Sequence, residues 1–188
     1  MYDLCLIGLG NPGSKYDQTK HNVGKDWLLK IAKTYSLDFE DKKKYEAFIS
    51  SSHENKILWV IPNNYMNNSG ITVSKIIKNK NLDPKNIILM HDDLDLGPGD
   101  VRFKIDGGHG GHNGLKDIFN RTSSREFSRV RIGIGHPGMQ SEVNKWVLNK
   151  FNPADKDLID RGYMSFIDVF DDICNKKYAE AQKKLHTN

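Results

Sequence analysis

The sequence predicts an α/β fold, in which a twisted, mostly mixed central β-sheet is flanked by helices to give three α/β/α layers. Short strand-like runs alternate with helical patterns along the whole chain, and no linker, internal repeat or low-complexity segment divides it. Its 188 residues, 37% hydrophobic and 28% charged, are typical of a globular protein that buries one core. We therefore predict a single domain over residues 1–188, with a C-terminal helical segment at about 155–185.

The first half of the chain contains three predicted strands and two predicted helices. Leu4–Leu9 is a continuous apolar run that predicts a buried strand, and Val23–Tyr35 repeats apolar residues with the helical period. Ala47–Ser50 and Ile57–Ile61 are short apolar runs that predict strands, and Ile71–Lys80 again has the helical period.

The second half continues the alternation. Ile87–Met90 predicts a buried strand, Val101–Lys104 and Val130–Ile134 predict two more strands, and Leu115–Arg121 predicts a helix between them.

Helical periodicity then fills the C-terminal part, first at Glu142–Asn149 and then along most of Asp155–Leu185. Gly162 interrupts the second of these patterns. It marks either a break in the helix or a close packing contact.

The segment "GLGNPG", Gly8–Gly13, matches the G-x-G-x-x-G pattern of dinucleotide-binding loops, but its surroundings do not. A helix should begin at the last glycine, whereas the eight residues that follow have no apolar residue at helical spacing. Pro12 also removes one backbone donor from the loop. The sequence therefore predicts a strand followed by a tight Asn-Pro-Gly turn, and no nucleotide cofactor.

Charge and cysteine content restrict the functional class only mildly. The net charge of +4 slightly favours an anionic partner. Cys5 and Cys174 have neither disulfide nor metal-ligand spacing, so we expect both to be buried in a reducing environment. The N-terminal apolar run is too short for a signal segment or a membrane span, so we expect a cytoplasmic protein without a membrane partner.

Five polar segments stand beside the predicted strands: "GLGNPG", "TKHNVG", "NNYMNNSG", "HDDLDLGPGD" and "GGHGGHNG". They are rich in Asn, His and Asp, and α/β folds place their sites at such strand ends. The chain has no G-x-S-x-G, G-K-[ST] or H-E-x-x-H motif, which argues against serine hydrolases, P-loop enzymes and zincins.

One interpretation of these segments is a two-metal hydrolase site. Its ligands would come from His91, Asp92, Asp93, Asp95, His109, His112 and His136. However, no histidine pair has the spacing that a rigid element would hold, and the glycine run around His109 and His112 is expected to be too flexible to preorganise ligands. We therefore expect no metal.

The other interpretation is a histidine general base assisted by a carboxylate and by amides. His21 precedes an amphipathic helix and Asp92 follows a buried strand, so the two could meet, with Asp92 fixing the tautomer of the ring. Asparagine side chains could donate to a developing oxyanion. The alternatives remain open: His21 could cap a helix, Asp92 could cap a turn, and the asparagines Asn67, Asn68 and Asn113 could be helix N-caps.

The segment "GGHGGHNG", residues 107–114, carries five glycines, which suggests close approach of a ligand or of another segment. The alternative is a flexible surface loop.

Together, "LIGLGNPGSKYDQTKHNVG", "NNYMNNSG", "HDDLDLGPGDVRFK", "GGHGGHNGLKDI" and "RVRIGIGHPG" resemble the five signature blocks of the bacterial peptidyl-tRNA hydrolase family. The blocks occur in the family's order, and the resemblance runs from about Leu4 to the C-terminal helices. Asp93, often Glu in the family, is a mild variation.

The resemblance implies a cofactor-free, monomeric esterase that cleaves the ester between a peptide and the 3′ ribose of tRNA. In this chain His21 would be the general base, Asp92 would hold it in its basic form, and Asn11 would recognise the N-blocked aminoacyl group. The rival functions are a non-catalytic RNA-binding module and a metal-dependent hydrolase.

The resemblance also assigns contacts with the substrate, which is expected to bind through its acceptor stem, 3′ CCA end and peptide. Asn67 and Asn113 would contact substrate, Asn113 being the better oxyanion donor. The remaining expected contacts are Tyr16, Tyr65, Met66 and His112 near the tRNA end, and Lys104, Lys116 and Arg131 at its phosphates. The segment Pro137–Phe151 resembles the mobile helix that gates the family's cleft.

Overall fold

One mixed sheet organises the protein, as described by a computed structural model for residues 2–52 and 56–186. Its strands are β1 (Leu4–Gly8), β2 (Glu40–Lys42), β3 (Ala47–Ser52), β4 (Ile57–Pro62), β5 (Ile87–Asp93), β6 (Val101–Ile105) and β7 (Ser128–Gly133). The strand order is β2-β3-β4-β1-β5-β7-β6. The central strands β4, β1, β5 and β7 are parallel, and the edge strands pair antiparallel.

Helices cover both faces of this sheet. They are α1 (Val23–Thr34), α2 (Ser69–Lys80), α3 (Asn113–Thr122), α4 (Val143–Leu148), α5 (Pro153–Cys174) and α6 (Tyr178–His186). One apolar core lies between the sheet and α2 and α3, and the other lies between the sheet and α1, α5 and α6. The predicted three-layer α/β/α fold is therefore confirmed, while the ends of the predicted domain (residues 1, 187 and 188) lie outside the described residues.

Two local predictions need correction, and the structure decides between the two alternatives for Gly162. Strand β2 was not predicted, because its three charged residues are all exposed and carry no apolar signal. The pattern Asp155–Leu185 forms two helices, α5 and α6, which separate around Lys176, a residue with a φ of 59°. Gly162 does not break α5. A Cβ there would lie 2.2 Å from the carbonyl oxygen of Gly99, so this glycine permits a close packing contact.

The glycine-rich N-terminal motif also has the predicted structure. Gly8 ends β1, Gly13 has a φ of +95° and is followed by a three-residue 3₁₀ turn (Ser14–Tyr16), and α1 begins only at Val23, so no α-helix begins at the last glycine as dinucleotide binding requires. Cys5 is buried as expected, whereas Cys174 is only partly buried. No helix among the described residues is long and apolar enough to cross a membrane.

Candidate active site

The predicted contact between His21 and Asp92 is present. His21 lies in a 3₁₀ turn just before α1, and Asp92 lies at the carboxyl end of the central strand β5. The ring Nδ1 of His21 is 2.9 Å from each carboxylate oxygen of Asp92. His21 is not the N-cap of α1, because Asn22 occupies that position. The carboxylate of Asp92 binds the imidazole of His21 and does not cap a turn.

A second imidazole contacts the same carboxylate. The Nδ1 of His112 accepts the backbone N–H groups of Gly114 and Leu115 at 3.1 and 3.3 Å. The proton of this ring is therefore on Nε2, which donates to Asp92 Oδ1 at 2.9 Å. His112 thus caps α3, and the expectation that the glycine run leaves it without a fixed position is wrong.

Electrostatics favour an ionised Asp92 between these rings. Burial alone would raise the pKa of Asp92, but His21 and His112 outweigh burial and hold that pKa well below its usual range. Burial lowers the pKa of His21, whereas the charge of Asp92 and its hydrogen bond raise it, and the net shift is upward. When neutral, His21 donates through Nδ1, so its Nε2 carries a free lone pair, as a general base requires.

A third histidine, His91, lies beneath the pair. Its Nδ1 donates to the backbone oxygen of Asp92 at 2.7 Å, and its Nε2 is buried without a hydrogen-bond partner in the described structure. Burial, together with the nearby His112, lowers the pKa of His91 to about 3. This ring is therefore neutral and fixed, and it carries no charge into the site.

Among the residues that the structure describes, one group of ligand atoms could hold a metal ion. The side chains of His21, Asp92 and His112 offer such atoms within 4.8 Å of one another. To ligate through Nε2, His112 would have to move its proton to Nδ1 and give up its two backbone bonds at the start of α3. The donor set therefore fits a hydrogen-bonded network better than a metal centre.

The wider two-metal cluster is not assembled. Asp93 pairs with Arg131, whose Nε lies 2.6 Å from its carboxylate. The Nδ1 atoms of His109 and His136 accept backbone N–H groups within their own turns.

Asn11 is held by a buried network of amides. Its Oδ1 accepts the backbone N–H of Met66 at 2.8 Å, and its backbone N–H donates to Asn22 Oδ1 at 2.7 Å. Asn22 Nδ2 in turn donates to the backbone oxygen of Asn11 at 3.0 Å. This leaves the Nδ2 of Asn11 as an oriented donor that takes part in no described hydrogen bond. Asn22 was not predicted as a site residue, although it follows His21 directly in "TKHNVG".

Other predicted contact residues lie around this network. The rings of Tyr16 and Tyr65 meet edge to face with centroids 6.1 Å apart, and Tyr65 is exposed. Met66 is buried, and Asn67 beside it is exposed. Asn113 is exposed as the first residue of α3, so it is not the N-cap of that helix. At α2 the N-cap position is taken by Asn68, which makes no capping hydrogen bond through its side chain.

A cavity of about 310 Å³ joins the catalytic pair to a basic wall. His21, His112 and Asn113 line it together with Lys104 and Arg131. Helix α4 forms another wall through Val143, Asn144 and Val147. The exposed Lys116 does not line this cavity. Only two of the three residues predicted to contact phosphate, Lys104 and Arg131, therefore lie in its wall.

Arg129 lines the cavity but was not predicted as a site residue. It is buried in β7 and donates to the backbone oxygens of Asp106 and Gly108, which anchors the glycine-rich loop. Its only signal in the sequence is that "RVR" has an arginine on each side of Val130, of which Arg129 is the first. A separate cavity of about 640 Å³ beside Asp26 and Trp27 contains none of the predicted site residues.

Comparison with known proteins places this site in context. The family model described as peptidyl-tRNA hydrolase matches residues 5–188. A peptidyl-tRNA hydrolase of Francisella tularensis subsp. tularensis is 41% identical, with 97% of this chain and 96% of the relative aligned. One from Marinomonas sp. is 38% identical over 97% and 95% of the two chains. The crystal structure of peptidyl-tRNA hydrolase from Acinetobacter baumannii superposes with a TM-score of 0.93 at 33% identity, covering 98% of this chain and 96% of that one.

Proposed function

This chain belongs to the peptidyl-tRNA hydrolase family and hydrolyses peptidyl-tRNA, and we propose that His21 is the general base of that reaction. The observation that carries the proposal is the contact of His21 Nδ1 with Asp92, which leaves Nε2 unprotonated in a cavity beside a basic wall. In the proposed reaction Nε2 takes a proton from water, and the resulting hydroxide attacks the ester carbonyl. The tetrahedral intermediate then collapses with cleavage of the bond to the 3′ ribose oxygen, which takes the proton from the His21 imidazolium, and free peptide and tRNA are released for reuse.

Asp92 stabilises the imidazolium that forms on His21, and His112 holds Asp92 in place. Asn113 is suited to donate to the oxyanion. Asn11 presents its Nδ2 to the N-blocked aminoacyl group, since its Oδ1 is already bound by the backbone of Met66.

The tRNA end is proposed to lie across the rim and the basic wall. Tyr16 and Tyr65 offer aromatic faces to the terminal bases, with Asn67 beside them. Lys104 and Arg131 neutralise phosphates of the acceptor stem, and the exposed Lys116 reaches phosphate outside the cavity.

We propose that no metal or other cofactor takes part, because the tautomer of His112 opposes ligation through Nε2. The full set of proposed catalytic groups lies within one chain, which supports action as a monomer. Since peptidyl-tRNA arises in translation, the proposed place of action is the cytoplasm.

The test is release of N-acetylaminoacyl groups from bulk tRNA by the purified protein, with and without EDTA. Wild type should release them equally in both conditions, and His21→Ala should not. His136→Ala is a matched control, because this histidine is exposed and does not line the cavity. Binding of tRNA without release would favour the RNA-binding module, and loss of activity in EDTA that Zn²⁺ or Mn²⁺ restores would favour a metal-dependent hydrolase.

A further inference from the structure

Lys20, the residue immediately before the proposed base, is almost fully buried, with 3% of its surface exposed. Its Nζ donates to the backbone oxygen of Lys150 at 2.9 Å. The same ammonium lies 4.1 Å from the ring centroid of Trp146 and 5.3 Å from that of Phe151. Among the described ion pairs Lys20 has no carboxylate partner, so one carbonyl and two aromatic rings hold its charge.

These contacts join two segments that both border the catalytic cavity. Lys20 and His21 belong to the same 3₁₀ turn, whereas Trp146 lies on α4, whose residues Val143 and Val147 line the cavity. The backbones are joined as well, because the N–H of Lys20 donates to the oxygen of Asn149 at 3.0 Å. A buried lysine is therefore placed where α4 meets the catalytic turn.

Burying the ammonium of Lys20 costs free energy that an apolar residue at this position would not cost. Burial lowers the pKa of Lys20, although Asp155 opposes that shift, so the charged form is disfavoured at this position. A methionine of similar length would fill the space without that cost. The rings of Trp146 and Phe151 stabilise the ammonium only if they face it. The position of Trp146 therefore depends on that of Lys20.

We propose that Lys20 is a positioning residue that fixes α4 as a wall of the substrate cavity by binding Trp146 and the backbone of Lys150. The inference rests on the proposed function for its kinetic consequence. The turn itself has independent supports, since His21 binds Asp92, Asn22 binds Asn11, and Thr19 Oγ1 donates to Tyr16 O at 2.7 Å. Loss of Lys20 should therefore release α4 more than it displaces the base.

The kinetic expectation follows from that difference. Lys20→Met should raise KM roughly tenfold while kcat stays within about threefold of wild type, because substrate binding is weakened and the base is retained. An N-acetylaminoacyl ester of adenosine should show the same rise in KM as peptidyl-tRNA, since α4 borders the cavity and not the phosphate wall. Lys20→Arg keeps a charge that stacks on aromatic rings and should restore KM to within about threefold.

Lys30→Met is the matched control. Lys30 also places its Nζ over an aromatic ring, 3.9 Å from the centroid of Tyr163, but it is half-exposed on α1 and does not line the catalytic cavity. This variant should keep the KM of wild type. Equal KM values for Lys20→Met and Lys30→Met would overturn the proposal.

A second variant approaches the contact from the other side. Trp146→Leu removes the ring without changing the catalytic turn, and should raise KM as Lys20→Met does. The double variant should raise KM by less than the product of the two single effects, because both variants remove the contact between Lys20 and Trp146, although Trp146→Leu also removes the indole donor to the backbone oxygens of Ile134 and Gly135. Effects on KM that multiply would overturn the proposal, as would a fall in kcat with an unchanged KM, which would mean that Lys20 acts on His21.

Amide hydrogen exchange tests the contact without any substrate. In Lys20→Met the amides of Val143–Leu148 should exchange faster, while those of α5 keep the wild-type rate. An unchanged exchange rate in α4 would overturn the inference. If wild type failed to release N-acetylaminoacyl groups, the proposed function would fail, but faster exchange in α4 would still support the contact itself.

Discussion

Replacing Asp92 by asparagine removes the buried charge between two imidazoles and preserves the shape of the side chain. His112 determines how the new amide is oriented. Its Nε2 is a fixed donor 2.9 Å from Oδ1, so the amide oxygen must occupy that position and the NH₂ group must take the place of Oδ2. The oxygen then still lies 2.9 Å from His21 Nδ1 and can accept its proton, but the NH₂ group that replaces Oδ2 lies equally near this nitrogen and opposes the catalytic tautomer.

The size of the effect follows from the lost charge. A hydrogen bond to a charged group contributes about 1.5–3 kcal/mol, and about 1.4 kcal/mol corresponds to a tenfold change in rate. Asp92→Asn should therefore lower kcat roughly 10- to 100-fold. That loss is smaller than the removal of the base itself, for which the usual range is about 10²–10⁴.

The pH dependence gives a second, independent signature. Activity requires neutral His21, so kcat/KM should rise with pH through the pKa of this residue in the free enzyme. In wild type that midpoint should lie above the ordinary value of 6.5, since Asp92 raises the pKa of His21. In Asp92→Asn the charge that raises the pKa of His21 is gone, and burial, which lowers it, is opposed only by a hydrogen bond to a neutral amide, so the acid limb should move to lower pH.

The assay is initial-rate release of N-acetylaminoacyl groups from tRNA across the acid range. Asp93→Asn is the matched control: it removes an adjacent carboxylate that pairs with Arg131, and it should leave the acid limb nearly where it is in wild type. An acid limb that stays in place in Asp92→Asn, or moves equally in both variants, would refute the assignment of the limb to His21 held by Asp92.

Two further predictions concern catalysis and binding separately. His21→Ala should remove nearly all turnover and leave tRNA affinity close to wild type, since the base acts in the transition state; retention of more than about one hundredth of kcat would require another base. Substituting Lys104 and Arg131 together by alanine should raise KM for peptidyl-tRNA and flatten its salt dependence for all tRNAs alike, because phosphate contacts carry no sequence information. An N-acetylaminoacyl ester of adenosine should be hydrolysed as by wild type, and equal losses on both substrates would contradict a phosphate-binding role.

Periodicity and apolar runs predicted the layers of the fold because buried strands and amphipathic helices leave patterns in the sequence. They could not predict β2, which is exposed and charged, and whose pairing with β3 depends on backbone hydrogen bonds. The contact of His21 with Asp92 was predictable, since both residues flank elements that end at the same edge of the sheet.

Contacts that depend on rotamers were not predictable. Nothing in "GGHGGHNG" indicates that His112 caps α3 with one nitrogen and reaches Asp92 with the other. Lys20 was equally hidden, because a lysine beside two polar residues gives no sign that aromatic rings 126 and 131 positions away will cover it.

His112 has two contacts, and substitutions can separate them. Asparagine is a good N-cap, so His112→Asn should retain a bond to the first backbone N–H groups of α3 while its shorter side chain loses Asp92. His112→Ala loses both contacts and should be less stable than His112→Asn by about 0.5–2 kcal/mol, the usual contribution of a cap. Both variants should lower kcat to a similar extent, and by less than His21→Ala, because Asp92 keeps its bond to the base but loses the donor that fixes its carboxylate. Thermal unfolding and initial rates measure the two effects. Full kcat in His112→Asn would show that Asp92 needs no second imidazole, and equal stability of the two variants would show that the ring nitrogen does not act as a cap.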